Sequence, residues 1–186
     1  MRIITGIARG CTLQTLEGDD TRPTPERVKE AIFSSLQFDI EDKTFLDLFS
    51  GSGQMGLEAV SRGAKKAYMN DASSAACAVI KANAQKCRLF DKCVIMCRSW
   101  PEYLKCANGK EKYDYIYLDP PYAEHLLPDV LDKILKTDVL CNGAVIICES
   151  EHEDIFDGNE DLKSKFVIKK HTKYGRVHIT YIQKEV

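Results

Sequence analysis

The feature that most constrains the fold is an alternation of short apolar segments with helical segments between residues 44 and 150. The apolar segments have the length of buried strands, and apolar residues recur every three or four positions in the stretches that separate them. Short apolar strands separated by helices predict a mostly parallel sheet with helices on both faces. We therefore predict an α/β, doubly wound, Rossmann-like domain.

The element boundaries follow from this pattern. Strands are predicted at 44–49, 66–71, 93–98, 113–119 and 143–150, and helices at 54–62, 73–87, 99–105 and 125–136. Two last strands, 165–169 and 177–183, are predicted to form an antiparallel pair. Residues 1–22 are expected to form a short strand or hairpin with a turn near 17–20. A further helix is expected to begin with Thr24 as its N-cap and Pro25 in its first position.

The length of the chain, 186 residues, suits one domain. We predict a single domain, with residues 1–40 as an N-terminal extension and 41–186 as the cofactor-binding and catalytic core. No stretch approaches the roughly 18 apolar residues of a membrane helix, and the N-terminal residues lack the pattern of a secretory signal. A cytoplasmic protein without a membrane partner is expected, and a monomer would be adequate.

The eight cysteines are expected to be reduced thiols, because disulfides are rare in the cytoplasm. Their spacings do not favour a metal site, since no C-x-x-C pair is present. The net charge of −2 argues against a strongly basic nucleic-acid binder, yet every charged residue from Lys163 to Lys184 is basic. This run predicts either a solvated surface or a local phosphate-binding surface, and the sequence leaves both open.

A glycine-rich turn follows the first predicted strand, in Asp47-Leu48-Phe49-Ser50-Gly51-Ser52-Gly53. Glycines let a backbone turn tightly and approach a ligand closely, and ligands of open α/β sheets bind at the carboxyl ends of strands. Gly56 completes a G-x-G-x-x-G pattern, and Asp71 lies twenty residues beyond Gly51. This spacing is also typical of dinucleotide binding, so NAD competes with S-adenosylmethionine at this point.

Asp47 favours S-adenosylmethionine. A carboxylate at the mouth of the loop opposes a doubly anionic pyrophosphate. It suits the ammonium and sulfonium groups of S-adenosylmethionine. Asp71 fits either cofactor, because both have ribose hydroxyls that donate to a carboxylate.

A second motif, Asp119-Pro120-Pro121-Tyr122, ends the fourth predicted strand. The prolines fix φ and hold the residues before them extended. An exocyclic amine on a nucleobase is a poor nucleophile because its lone pair is delocalised into the ring. The Asp119 carboxylate and the Pro120 carbonyl can accept both amine hydrogens, and Tyr122 can stack on an unstacked base. We predict in-line attack of the amine on the sulfonium methyl, promoted by orientation and proximity, with Asp119 or water taking the proton.

These residues resemble the RsmD-like small-subunit ribosomal RNA guanine-N2 methyltransferases over essentially the whole chain. The resemblance rests on the two motifs above together with Met1–Gly6, Arg9-Gly10, Thr21–Thr24, Arg27-Val28, Ala31–Phe33, Gly56–Ala59, Ser61–Ala64 and Tyr174-Gly175. It implies a seven-stranded methyltransferase sheet and S-adenosylmethionine as the methyl donor. It also implies a guanine amine of 16S ribosomal RNA as the target, in an assembling small subunit.

The resemblance also implies site residues. Asp119, Pro120, Pro121 and Tyr122 contact the target base, and the cofactor-binding positions are Arg22, Thr24, Asp47, Phe49, Gly51, Gly53, Asp71 and Ser99. Among these, Arg22 and Thr24, with Pro23 between them, lie near the methionine end of the cofactor or near the substrate. Asp47 and Gly51 contact the methionine moiety, and Asp71 the ribose. Ser99 departs from the family, in which an acidic or amide residue often contacts the adenine.

Three other functions remain open. A DNA adenine or cytosine N-methyltransferase has the same motifs, although no separate target-recognition domain is apparent. A non-catalytic module that binds S-adenosylmethionine or RNA is a second alternative, against which the intact Asp119–Tyr122 motif argues. An NAD-dependent oxidoreductase is the third, and only the glycine loop favours it.

Overall fold

The computed structural model describes residues 1–16, 24–121 and 125–185. The chain divides into two compact units, Met1–Ser99 and Trp100–Val186. The single domain expected for residues 1–186 stays a prediction. In the described part of the chain, no helix has the length and apolar character needed to cross a membrane.

The first unit is a parallel three-stranded sheet with its helices. Its elements are α1 (Glu26–Leu36), β1 (Thr44–Asp47), α2 (Gln54–Ser61), β2 (Lys66–Asp71), α3 (Ser74–Lys86), a 3₁₀ turn (Phe90–Lys92) and β3 (Cys93–Cys97). β2 pairs in parallel with β1 on one side and β3 on the other. α3 begins at a side-chain cap, in which the Ser73 hydroxyl accepts a hydrogen bond from the Ala76 N–H.

Helix α2 lies very close to strand β2. A Cβ atom on Gly56 of α2 would lie 2.5 Å from Cγ of Met69 in β2, so any larger residue would force the Met69 side chain to shift. The N-terminal segment covers the same core, where Ile3 and Leu13 pack with Leu57. Burial of these side chains stabilises the unit by roughly 1.5–3 kcal/mol for each large apolar residue.

A buried ionic group holds the N-terminal segment against α1 and α2. Both side chains of the Lys29–Glu58 pair are fully buried, and Arg62 Nε lies 2.7 Å from the Glu58 carboxylate. The same carboxylate accepts the backbone N–H groups of Ile4 at 2.8 Å and Thr5 at 3.0 Å. Burial lowers the pKa of Lys29, and the neighbouring Glu58 charge opposes that shift.

The second unit combines parallel and antiparallel pairs. Its elements are α4 (Trp100–Ala107), β4 (Tyr113–Leu118), α5 (Leu127–Leu135), β5 (Leu140–Ser150), α6 (Glu160–Lys163), β6 (Phe166–Tyr174) and β7 (Val177–Lys184). β4 and β5 are parallel, whereas β7 is antiparallel to both β5 and β6. The α/β class is confirmed: the described residues contain seven strands, mostly parallel, with a C-terminal antiparallel pair.

Some local predictions were wrong. Pro25, not Thr24, is the N-cap of α1, and no side-chain hydrogen bond caps this helix. The N-terminal hairpin is present in a short form, as an antiparallel bridge between Arg2 and Thr12 with backbone hydrogen bonds from Ile3 to Cys11 and from Leu13 to Met1. The expected turn near residues 17–20 lies outside the described residues. The short α6 was not predicted, because four residues give too little periodicity.

The expectation that all cysteines are reduced was also wrong. Cys11 and Cys87 form a disulfide with Cα atoms 5.9 Å apart, across 76 residues of sequence. The bond links the N-terminal segment to the end of α3. The argument from a reducing cytoplasm could not predict this disulfide, because the pairing depends on where the N-terminal segment packs.

Candidate active site

The glycine loop of the first unit connects β1 to α2. Gly53, the N-cap of α2, has φ of +78°, a left-handed conformation that side chains with a Cβ rarely adopt. Its N–H donates to the Ser50 carbonyl at 2.7 Å, and the Ser50 hydroxyl donates to the Asp47 carbonyl at 2.7 Å. A Cβ on Gly51 would meet no atom within 4 Å among the described residues. The loop is thus held by its own hydrogen bonds, and its backbone is accessible at Gly51.

Asp47 is a carboxyl group buried without full hydrogen bonding. It is 1% exposed, and Oδ1 has no hydrogen-bond partner within the part of the chain that the structure describes. Burial raises the pKa of Asp47 from 3.8 to about 7; a backbone hydrogen bond from Gly56 opposes this shift, and the charge of Asp71 adds to it. A buried acceptor with this pKa favours a cationic or hydrogen-bond-donating ligand.

Asp71 lies at the end of β2 and binds the glycine loop. Its Oδ2 accepts the Gly51 N–H at 2.9 Å, and its Oδ1 accepts the Ser73 N–H at 2.9 Å. A carboxylate has about four lone-pair directions, so each oxygen can accept a further hydrogen bond. The structure therefore brings the predicted residues Asp47, Gly51 and Asp71 together, and the ribose contact stays a prediction.

The sequence did not single out Asn70, the residue before Asp71. Its Nδ2 donates to the carbonyls of Leu48 at 3.3 Å and Arg98 at 3.0 Å, which ties together the loops after β1 and β3. Its Oδ1 is buried and has no partner among the described residues. The available signal was an asparagine near the end of an apolar strand, because a polar side chain that is buried there needs hydrogen-bond partners.

Four other predicted cofactor residues have different outcomes. Thr24 is buried, and Gln54 Nε2 at the start of α2 donates to its carbonyl at 3.4 Å, so Thr24 lies beside the glycine loop. Phe49 is half-buried within that loop. Ser99 is half-buried and follows Arg98, whose N–H donates to the Asp71 carbonyl at 3.1 Å. Arg22, with Pro23, lies outside the described residues.

The second motif follows β4 in the second unit. Asp119 is half-buried, Pro120 is buried and Pro121 is exposed, whereas Tyr122 lies outside the described residues. A small cavity adjoins the two prolines; its lining includes Pro120, Pro121, His125, Glu149, Ser150 and His152. Glu149, at the end of β5, is 2% exposed and accepts a hydrogen bond from the Tyr117 hydroxyl. No pattern in the sequence predicted this buried pair.

The fold and these sites place the chain in the class of α/β methyltransferases. A solved structure described as a putative methyltransferase yhhF from Escherichia coli has a TM-score of 0.84 and 26% identity, covering 100% of this chain and 98% of that chain. The chain belongs to the family described as Conserved hypothetical protein 95, whose model matches residues 1–183.

Two relatives have names that state an activity. The Ribosomal RNA small subunit methyltransferase D of Haemophilus influenzae is 33% identical over 155 residues, which cover 82% of this chain and 80% of the relative. The Putative rRNA methyltransferase YlbH of Bacillus subtilis is 33% identical over 154 residues, covering 82% of this chain and 84% of the relative. Both alignments span most of each protein.

Proposed function

We propose that this protein transfers a methyl group from S-adenosylmethionine to the N2 amine of a guanine in 16S ribosomal RNA, within an assembling small ribosomal subunit in the cytoplasm. The observation that carries the proposal is the Asp119-Pro120-Pro121 sequence at the end of β4, beside a cavity, in a chain of this family. The names of the two relatives support ribosomal RNA as the substrate.

The residues of the first unit fit this donor. S-adenosylmethionine supplies a methyl group on a positively charged sulfur and has an ammonium at its amino-acid end. Asp47, in its ionised form, compensates that positive charge, and its buried Oδ1 gains the hydrogen bond that the described residues do not provide. Open backbone at Gly51 permits close approach, and Asp71 accepts from the ribose hydroxyls. We assign the adenine to the side of Phe49 and Ser99.

The second unit prepares the acceptor amine. The Asp119 carboxylate and the Pro120 carbonyl accept its two hydrogens, which pulls electron density toward nitrogen and favours a pyramidal geometry. Nitrogen forms a bond to the methyl carbon as the carbon–sulfur bond breaks, and that electron pair stays on sulfur. The proton then passes to Asp119 or to solvent. Tyr122 stacks on the base in this proposal, and orientation provides most of the acceleration.

The β6–β7 hairpin provides the RNA contact. Lys169, Lys173 and Arg176 are exposed, and among the described residues none of them forms an ion pair. Phosphate contacts from such cations fix the position of a protein on RNA without reading sequence. The net charge of −2 is compatible with this arrangement, because the charged residues of this hairpin are all basic even though the whole chain is slightly acidic. We therefore assign Lys169, Lys173 and Arg176, within the basic run from Lys163 to Lys184, to phosphate binding.

The choice of substrate tests this proposal. The protein is incubated with methyl-labelled S-adenosylmethionine and, separately, with unmodified small ribosomal subunits, naked 16S RNA and duplex DNA. We expect the label in the ribosomal RNA. Label in DNA alone would support methyl transfer as the reaction and would contradict ribosomal RNA as the substrate. Cofactor binding without transfer to any of the three would favour a non-catalytic module.

A further inference from the structure

We propose that Glu149 recognises the Watson–Crick edge of the target base, that its carboxylate accepts the N1–H of guanine, and that Tyr117 positions it for that contact. This inference rests on the proposed function and adds the group that selects guanine. It assigns a role to a buried carboxyl that the methyl-transfer chemistry above does not use.

Strand pairing places Glu149 beside the motif that binds the amine. β4 and β5 are parallel, with Leu118 opposite Cys148. Asp119 and Glu149 each follow this pair by one position, at the same end of two strands about 4.8 Å apart. Tyr117 pairs with Ile147, and alternate residues of a strand share a face, so Tyr117 lies on the same face as Glu149. Two carboxyl groups therefore lie at the carboxyl ends of neighbouring strands.

The Glu149 side chain has a defined orientation. It is 2% exposed, as is Tyr117, whose hydroxyl donates to Glu149 Oε2. A carboxylate has about four lone-pair directions, so the hydrogen bond from Tyr117 does not exhaust its capacity to accept. Tyr117 thus acts on Glu149 and needs no contact with the base, which makes it a positioning residue.

The cavity beside Glu149 suits the edge of a base. Pro120 and Pro121 form one side, and Glu149 and Ser150 contribute from β5. Its volume is about 20 Å³, which is too small for a purine ring and corresponds to about one water-sized group, so only the edge of a base could enter. The ring itself must then remain outside; His125 and His152, which are exposed and stacked on each other, also line the cavity.

The chemistry of the two purines explains the selection. On its Watson–Crick edge guanine has an N1–H donor next to its N2 amine, whereas adenine has an N1 lone pair next to its N6 amine. With both amine hydrogens bound by Asp119 and Pro120, the next edge atom faces Glu149. A carboxylate pairs with N1–H and repels an N1 lone pair. A buried acceptor left without a donor is costly, so the mismatch is rejected strongly.

2,6-Diaminopurine tests this inference because it keeps the 2-amine of guanine and replaces N1–H with a lone pair. Small subunits are reconstituted with either guanine or 2,6-diaminopurine at the methylated position, which is first located by mass spectrometry. We expect wild-type kcat/KM to be at least about 100-fold higher for guanine. Glu149→Gln provides an amide that donates to the N1 lone pair, so the ratio should fall about 100-fold or reverse. Glu151→Gln, two residues away and exposed, is the matched control and should keep the wild-type ratio.

Tyr117→Phe keeps the ring and removes the hydroxyl, and we expect it to reduce the ratio less than Glu149→Gln does. Equal wild-type rates on the two bases would overturn the inference, whether or not the variants fold. An unchanged ratio in Glu149→Gln would also overturn it. If wild-type enzyme methylates neither subunit, the proposed function itself has failed. Guanine methylation without discrimination leaves the proposed function intact and removes only the role of Glu149.

Discussion

The Asp71 carboxylate accepts a hydrogen bond from the Gly51 backbone N–H at 2.9 Å, across twenty residues of sequence. This bond joins the end of β2 to the glycine loop after β1. The spacing of a glycine and a distant acid is typically explained by ribose binding alone. Here the acid also fixes the loop to which we assign cofactor binding.

Asp71→Asn should weaken both the loop and cofactor binding. An amide has one acceptor oxygen for two backbone N–H donors, so either Gly51 or Ser73 loses its partner. We expect the free energy of unfolding to fall by about 1–3 kcal/mol and the Kd for S-adenosylmethionine to rise by about 10–100-fold. Denaturant unfolding and calorimetric titration measure these effects. Exposed Asp91→Asn is the control, and an unchanged Kd in Asp71→Asn would contradict the assignment.

Asp47 should make stability depend on pH. Its pKa is raised from 3.8 to about 7 in the folded protein, so the folded state holds the proton more tightly than the unfolded state. Stability from this group is fully present below pH 4 and is lost as pH rises through 7. Asp47→Asn removes the titration and should be more stable than wild type at pH 8.5, by up to about 4 kcal/mol. Denaturant unfolding at pH 4 and pH 8.5 measures the free energy of unfolding of both proteins. An equal pH dependence in wild type and Asp47→Asn would refute the prediction.

The same carboxyl should link cofactor affinity to pH. A cationic ligand binds the ionised form, so binding of S-adenosylmethionine should weaken by about 10-fold per pH unit once pH falls well below 7. Binding should also release a proton near pH 7, which appears as a buffer-dependent enthalpy in calorimetry. Asp47→Asn should bind weakly at every pH. An affinity of wild type that is flat between pH 5 and 7 would argue against this ion pair.

Glu58 is expected to be important for folding rather than chemistry. Its buried carboxylate forms ion pairs with Lys29 and Arg62 and accepts hydrogen bonds from two backbone N–H groups of the N-terminal segment. Glu58→Gln leaves Lys29 as a buried charge without its counterion, which should cost about 3–5 kcal/mol of unfolding free energy. Glu30→Gln, on the exposed side of α1, should cost less than about 0.5 kcal/mol. Similar losses of unfolding free energy in the two variants would show that the buried Lys29–Glu58 pair contributes no more to stability than an exposed residue does.

The basic hairpin should determine how RNA binding responds to salt. Replacing Lys169, Lys173 and Arg176 with glutamine removes three cations, so the slope of log K against log salt should become less steep by about 2–3. The Kd for S-adenosylmethionine should stay unchanged. A control with Lys81, Lys86 and Arg88 replaced, all exposed on or after α3, should keep the wild-type slope. If the salt dependence of RNA binding falls equally in both variants, RNA binding responds to the net charge of the protein and not to the hairpin.

The sequence predicted those parts of the fold that depend on local pattern. The apolar run at Lys66–Asp71 and the glycine turn before Gln54 were each located to within one or two residues, because strand length and turn chemistry are local properties. The close approach of Asp47, Gly51 and Asp71 also followed, since parallel strands bring their carboxyl ends to one edge.

Features that depend on contacts between distant residues were not predictable in this way. The Cys11–Cys87 disulfide, the Glu58 bonds to residues 4 and 5, and the Tyr117–Glu149 pair each require knowledge of the tertiary packing. A buried acid gives the same sequence signal as an exposed one. Only the structure distinguishes them, by their burial and their partners.

The identity of the methylated nucleoside tests the central claim most directly. Small ribosomal subunits are incubated with labelled S-adenosylmethionine and wild type, Asp119→Ala or the exposed control Asp129→Ala, and digested nucleosides are analysed by mass spectrometry. We predict N2-methylguanosine from 16S RNA with wild type and Asp129→Ala, and a loss of at least about 100-fold with Asp119→Ala. A different methylated nucleoside, or full activity in Asp119→Ala, would contradict the account.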